Sequence, residues 1–83
     1  MGGFEMLETG RLDVNGKMIE EMDVIGFRNG LIYEIGVISF SEEEQIFIFY
    51  NDFMTKPLNE IEKPKILLKH TKLDKLLDAG FAF

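Results

Sequence analysis

The chain has 83 residues, of which 46% are apolar and 29% charged; its net charge is −6 and it contains no cysteine. Such a chain makes one small globular domain (residues 1–83) with a modest core, without disulfide or thiolate chemistry. No apolar run approaches the roughly 20 residues that a membrane-spanning helix needs.

The charge is unevenly spread. Residues 1–55 carry eleven acids and three bases, a net of −8, whereas residues 56–83 carry six lysines and four acids, a net of +2. The acidic part would repel a phosphate backbone, which argues against direct nucleic-acid binding. It would attract a basic surface on another protein, although solubility alone explains a moderately negative surface. The opening "MGGFEMLE" lacks the basic and apolar regions of a secretion signal, and Gly2 is not followed by the hydroxyl residue of a myristoylation signal. The expected location is the cytoplasm.

The chain then reads as hairpins. "RLDV" and "KMIE" flank Asn15-Gly16, a strong signal for a two-residue turn, because both residues tolerate positive φ. That turn would set Leu12 opposite Ile19 and Arg11 opposite Glu20, one apolar pair and one charged pair. "DVIGF" and "LIYEIGVISF" flank Asn29-Gly30 and would set Phe27 opposite Ile32. Gly36 interrupts the second of these strands, which suggests a bulge or the kind of bend that closes small barrels. "SEEEQ" (41–45) is a polar turn. "IFIFY" (46–50) is aromatic and β-branched throughout, so both of its faces should be covered, in a central strand or an association surface. Beyond Pro57 and Pro64, "KILLKH" reads as a strand with Ile66, Leu68 and His70 on one face, or as a helix continuing to Asp78. Thr71 as a cap, followed by Asp74, favours a strand over 65–70 and a helix over 72–79, which Gly80 ends.

"TGRLDVNGKMIEEMDVI" resembles the N-terminal signature of the YopX-like family of phage and prophage proteins. In that family a Thr-Gly, an Asp-x-Asn-Gly hairpin and an Ile-x-Glu-Gly-Asp-Ile/Val segment follow one another. Here they correspond to Thr9-Gly10, Asp13-Val14-Asn15-Gly16 and Ile19-Glu20-Glu21-Met22-Asp23-Val24, with Gly36-Val37-Ile38 after them. The likeness covers residues 6–40. The chain departs from the pattern at Glu20, where the family has Tyr, and at Met22, where it has Gly. A positive φ at that position would strain Met22. The resemblance implies a small, mostly β, SH3-like barrel in a phage or prophage setting, and carries over no catalytic or ligand residue.

The candidates for chemistry are few. His70 has no cysteine or second histidine beside it in the sequence, so packing is its ordinary role, and neither a metal nor a cofactor is expected. Glu42, Glu43 and Glu44 are consecutive and lack calcium-loop spacing, which reads as a solvated turn. Glu20, Glu21 and Asp23 offer paired carboxylates, but nothing singles out a general acid. Ser39 and Ser41 have no evident base, and no Gly-rich phosphate loop is present. The lysines of 63–75 are interleaved with acids and read as solvated surface. Among the aromatics, strand residues belong to a core, while Phe53 and Phe83 lie outside clear elements and are candidates for contact with a partner.

The expected fold is therefore mainly β with one short C-terminal helix: a small SH3-like, strongly bent antiparallel barrel or sheet built from hairpins. The expected function is non-enzymatic: a phage or prophage accessory protein that binds a host or phage protein with a basic surface. One form would be an acidic inhibitor of a nucleic-acid-binding factor or defence nuclease. Its contact residues would be Glu20, Glu21, Asp23, Glu42, Glu43, Glu44 and Phe53. The alternatives are a homo-oligomeric assembly module and, less favoured, a small nucleic-acid-binding barrel.

Overall fold

A computed structural model describes residues 7–70, and in it the hairpins form two antiparallel sheets. Strands β1 (Glu8–Leu12) and β2 (Met18–Glu20) make a two-stranded ribbon. Strands β3 (Val24–Asn29), β4 (Ile32–Ser41), β5 (Ile46–Tyr50), β6 (Thr55–Pro57) and β7 (Lys65–Leu68) make a five-stranded sheet in the order β6-β5-β4-β3-β7. A 3-10 turn, Leu58–Glu60, follows β6. The helix expected over 72–79 lies outside the described residues, and the strand expected over 65–70 ends at Leu68.

Alternation along the strands builds the core. Ile25 and Phe27 of β3, Ile38 of β4 and Phe49 of β5 are buried together, and Ile19, Leu58 and Ile61 close over them. The rings of Phe27 and Phe49 meet edge to face, with centroids 5.0 Å apart, a geometry that suits their quadrupoles. The expectation that both faces of β5 are covered needs correction. Phe49 is buried on the inner face, but Tyr50 on the outer face is exposed.

Both hairpins form, with other turns and registers than expected. In the first, Asp13 N–H bonds the Lys17 carbonyl and Gly16 N–H bonds the Asp13 carbonyl. The loop is thus Val14-Asn15-Gly16, one residue longer than a two-residue turn, with Gly16 at φ 79°. Leu12 therefore lies opposite Met18, and Glu20 lies opposite Glu8 rather than Arg11. The cause is the Asp13 carboxylate, whose Oδ1 accepts the N–H groups of Asn15 and Lys17 at 2.8 and 2.9 Å. In the second hairpin the loop is Gly30-Leu31, so Asn29 lies opposite Ile32 and Phe27 opposite Glu34. Gly30 has φ 66°, which suits the first position of a tight turn with primed geometry.

Gly36 is not a bulge, because β3 and β4 stay in register through it. It provides space instead: a Cβ there would lie 2.4 Å from the Tyr50 carbonyl oxygen and 2.6 Å from the Phe49 ring. Next to it, Val37 is paired with both Val24 and Tyr50, so β4 passes from β3 to β5 at this point.

The sheet is not closed into a barrel, which corrects the barrel expectation. Strands β6 and β7 are its two edges. Edge β6 is only three residues long and ends at Pro57, which has no N–H to offer. Edge β7 is covered by the ribbon rather than by β6. Ile66 N–H donates to Asp13 Oδ2 at 3.0 Å, and Val14 N–H donates to the Pro64 carbonyl at 2.9 Å. A side chain and a loop thus satisfy backbone groups that a closing strand would otherwise take.

Two positions in the ribbon explain the motif around it. Gly10 has φ 80° and lies within the register shift of β1. The resulting bulge lets Arg11 reach the carbonyls of Leu58 and Ile61, fixing the 3-10 turn. Met22 has φ 73°, in the left-handed region that glycine tolerates and a bulky side chain does not. Its N–H still bonds the Ile38 carbonyl at 2.7 Å, so the sheet holds it there. Met22→Gly is therefore expected to raise stability by about 1 kcal/mol in chemical denaturation, because relief of the strain exceeds the lost contacts of an exposed side chain.

Candidate functional site

The densest group of ionisable side chains lies where β2, the turn before β3 and the end of β7 meet. Asp23 is 0% exposed. Its Oδ2 accepts the Glu20 N–H at 2.9 Å and Lys69 Nζ at 2.7 Å, and its Oδ1 accepts the His70 N–H at 3.0 Å. Lys69 Nζ also contacts Glu20 Oε1 at 2.7 Å and the Met18 carbonyl at 3.2 Å. His70 Nε2 lies 3.3 Å from the same Glu20 oxygen. Among the described residues, every buried side-chain nitrogen or oxygen has a hydrogen-bond partner.

The chemistry follows from these contacts. Donor atoms of Glu20, Asp23 and His70 lie within 4.8 Å of one another, close enough to share a metal ion. The Lys69 ammonium already bridges the two carboxylates, at 2.7 Å from each. It supplies the positive charge that two neighbouring acids require. The arrangement is a latch: a residue at the end of β7 neutralises the acids of the β2–β3 turn and draws the two segments together.

The ionisation tendencies agree with that role. The hydrogen bond from Lys69 holds Glu20 below its usual 4.5, against the opposing effect of burial. Burial would lower Lys69, but its hydrogen bonds to Asp23 and Glu20 prevail and raise it above 10.5. Asp13 behaves likewise on the other side of the ribbon. Burial would raise it, but the N–H groups of Ile66, Lys17 and Asn15 together hold it below 3.8.

The structure separates the contact residues expected from the sequence into two groups. Asp23 is an interior residue with both oxygens engaged, so it cannot belong to an exposed acidic contact face. Glu20 is half-buried and points into the latch. Glu21 is half-buried, and its N–H bonds the Leu7 carbonyl. Glu42, Glu43 and Glu44 are all exposed on the turn between β4 and β5. That turn is held from within: Gln45 N–H bonds the Ser41 carbonyl at 2.7 Å, and Gln45 Nε2 bonds the Glu42 carbonyl at 2.7 Å. Phe53 is 88% exposed on the turn between β5 and β6, which Asn51 Oδ1 fixes by accepting the N–H groups of Phe53 and Met54. Phe83 lies outside the described residues.

Sequence reasoning missed Lys69, which it placed on a solvated face, and the burial of Asp13. Lys69 carries no local signal, since its partners are more than forty positions away. Asp13 carried one: an Asp two residues before Asn-Gly-x readily accepts backbone N–H groups of its own turn. No protein-family model, curated protein or solved structure matches the chain.

Two outcomes test the latch. Glu20 and Asp13 have lowered folded-state values, so their stabilisation is complete above 4.5 and 3.8 and fades as pH falls through the folded values below them. Lys69 has a raised value, so its stabilisation is complete below 10.5 and fades as pH rises through the folded value above it. Denaturation midpoints should therefore fall at both ends of the pH range. Lys69→Met should remove the alkaline fall and cost about 2–3 kcal/mol at neutral pH, because it leaves a buried carboxylate without its charged partner.

Proposed function

We propose that the protein is a non-enzymatic accessory protein of a phage or prophage, acting in the cytoplasm of a bacterial host by binding another protein. The observation that carries this reading is the triple-glutamate turn, Glu42-Glu43-Glu44, exposed at one end of the sheet and braced by Ser41 and Gln45. Three carboxylates held on a short, internally bonded turn present negative charge without a large ordering cost on binding. The complement is a basic surface, of the kind that nucleic-acid-binding proteins carry. Carboxylates would then stand where phosphates otherwise lie, and the outcome is inhibition of a host nucleic-acid-binding factor or defence nuclease.

Three further observations support the reading. The signature around Thr9-Gly10 and Asp13–Gly16 resembles that of YopX-like phage proteins, and the φ of Met22 fits the glycine of that pattern. On this reading the five-stranded sheet is an SH3-like one left open between β6 and β7. The clustered ionisable groups, Glu20, Asp23, Lys69 and His70, satisfy one another, which suits a structural role better than a catalytic one. Phe53, on the β5–β6 turn at the other end of β5, offers a separate exposed aromatic anchor.

The test is capture from bacterial lysate at low salt, with wild type beside the Glu42→Lys, Glu43→Lys, Glu44→Lys triple variant. Wild type should retain a basic nucleic-acid-binding protein, release it as salt rises, and inhibit its action on DNA or RNA in a purified assay. The triple variant should do none of these. Equal capture by both proteins, with equal salt dependence, would refute the acidic-contact mechanism.

A further inference from the structure

The hairpin of β3 and β4 runs beyond its neighbours. Strand β5 pairs with β4 only from Val37 onward, and β7 pairs with β3 only as far as Gly26. The tip between these limits is unusually apolar for an exposed segment: Leu31 is 98% exposed, Ile32 61%, Ile35 52%, and Tyr33 is exposed beside them.

The hydrogen-bonding direction of each residue there can be assigned. Asn29 and Ile32 close the two-residue loop, so the backbone groups of Ile32, Glu34 and Gly36 point toward β3. Those of Tyr33 and Ile35 point the other way. Two bonds agree with this alternation. The Ile35 carbonyl accepts Asn51 Nδ2 at 3.0 Å on the β5 side. Ile38 N–H donates to the Asp23 carbonyl at 3.0 Å on the β3 side. Among the described residues no strand pairs with the Tyr33 side of β4. An open strand edge beside an apolar patch is a template for another strand.

We propose that the occupant is a second copy of this chain, paired antiparallel through the same edge about a two-fold axis at Tyr33. In that register Tyr33 exchanges both backbone bonds with its twin, Leu31 lies opposite the twin's Ile35, and Ile32 lies opposite the twin's Glu34. Tyr33 is then the backbone pair, and the apolar side chains of the loop residue Leu31 and of Ile35 meet on either side of it, leaving the Asn51 bond to the Ile35 carbonyl in place. The alternative register, with Tyr33 opposite the twin's Ile35, would set Glu34 against its own copy. An antiparallel edge that matches itself in this way makes an isologous contact, the commonest kind in dimers.

Charge favours the same place. Residues 28–35 contain one base, Arg28, and one acid, Glu34, within a chain of net charge −6. Two copies meeting here bring together hairpin tips without net charge, and the triple-glutamate turn lies at the opposite end of β4. The dimer is therefore compatible with the proposed partner contact and independent of it.

Sedimentation velocity and light scattering of the full chain over a wide concentration range test the pairing. Wild type should convert from monomer to dimer as concentration rises, and the Tyr33 amide should gain hydrogen-exchange protection in step. Leu31→Lys with Ile35→Lys should weaken dimerisation by about tenfold or more, because lysine blocks strand edges. Both positions are exposed, so an unchanged circular dichroism spectrum and melting curve at low concentration would verify folding. The triple-glutamate charge reversal should leave dimerisation intact, which separates failure of this inference from failure of the partner-binding reading. Wild type that stays monomeric at every concentration, or a dimer that the two lysines do not weaken, would overturn it.

Discussion

Two carboxylates taken out of water, Asp13 and Asp23, hold the molecule together. Each belongs to the N-terminal ribbon or the turn that leaves it, and each accepts a backbone N–H from the far end of the described chain: Ile66 for Asp13 and His70 for Asp23. An ionised oxygen that accepts several N–H groups makes stronger bonds than a neutral acceptor. A fold of this size has a small core, so such bonds are a large share of its stability. They also explain the open sheet: β7 finds its remaining partners in an aspartate and a loop, and does not need β6.

The rest of the architecture follows from that tie. With the ribbon against β7, the bulge at Gly10 aims Arg11 at the carbonyls of Leu58 and Ile61, which fixes the 3-10 turn over the core. Asp23 requires a positive neighbour, and Lys69 provides it, bringing Glu20 and His70 alongside. Acids that look like a site in the sequence are thereby divided. Those near the ribbon support the fold, and those of the β4–β5 turn remain exposed.

Much of the fold was legible because hairpins are local. Asn15-Gly16 and Asn29-Gly30 located both turns, and the apolar runs of "DVIGF" (23–27) and "IFIFY" (46–50) identified strands of the sheet. The registers were not legible from the dipeptides, since turn length also depends on which neighbour accepts the free N–H groups. Asp13 lengthened one loop, and Gly30 rather than Asn29 began the other. The latch was hidden for a different reason. Lys69 and Asp23 are far apart in the chain, and no local pattern marks a lysine that will become an internal counter-ion. The exposed turn of Glu42, Glu43 and Glu44 was legible in full, because three consecutive acids have no stable place but the surface.

The most direct test of the tie is the Asp13→Asn variant, followed by amide hydrogen exchange and chemical denaturation. Asn keeps the shape but turns one acceptor oxygen into a donor, facing N–H groups that need an acceptor. Lys17 is bound by one oxygen and Ile66 by the other, so loss of protection at whichever of the two amides faces the new NH2, with a stability loss of about 1.5–3 kcal/mol, is the predicted result. Unchanged protection at both amides, with stability within about 0.5 kcal/mol of wild type, would contradict the claim that the buried carboxylates hold the ribbon to the sheet.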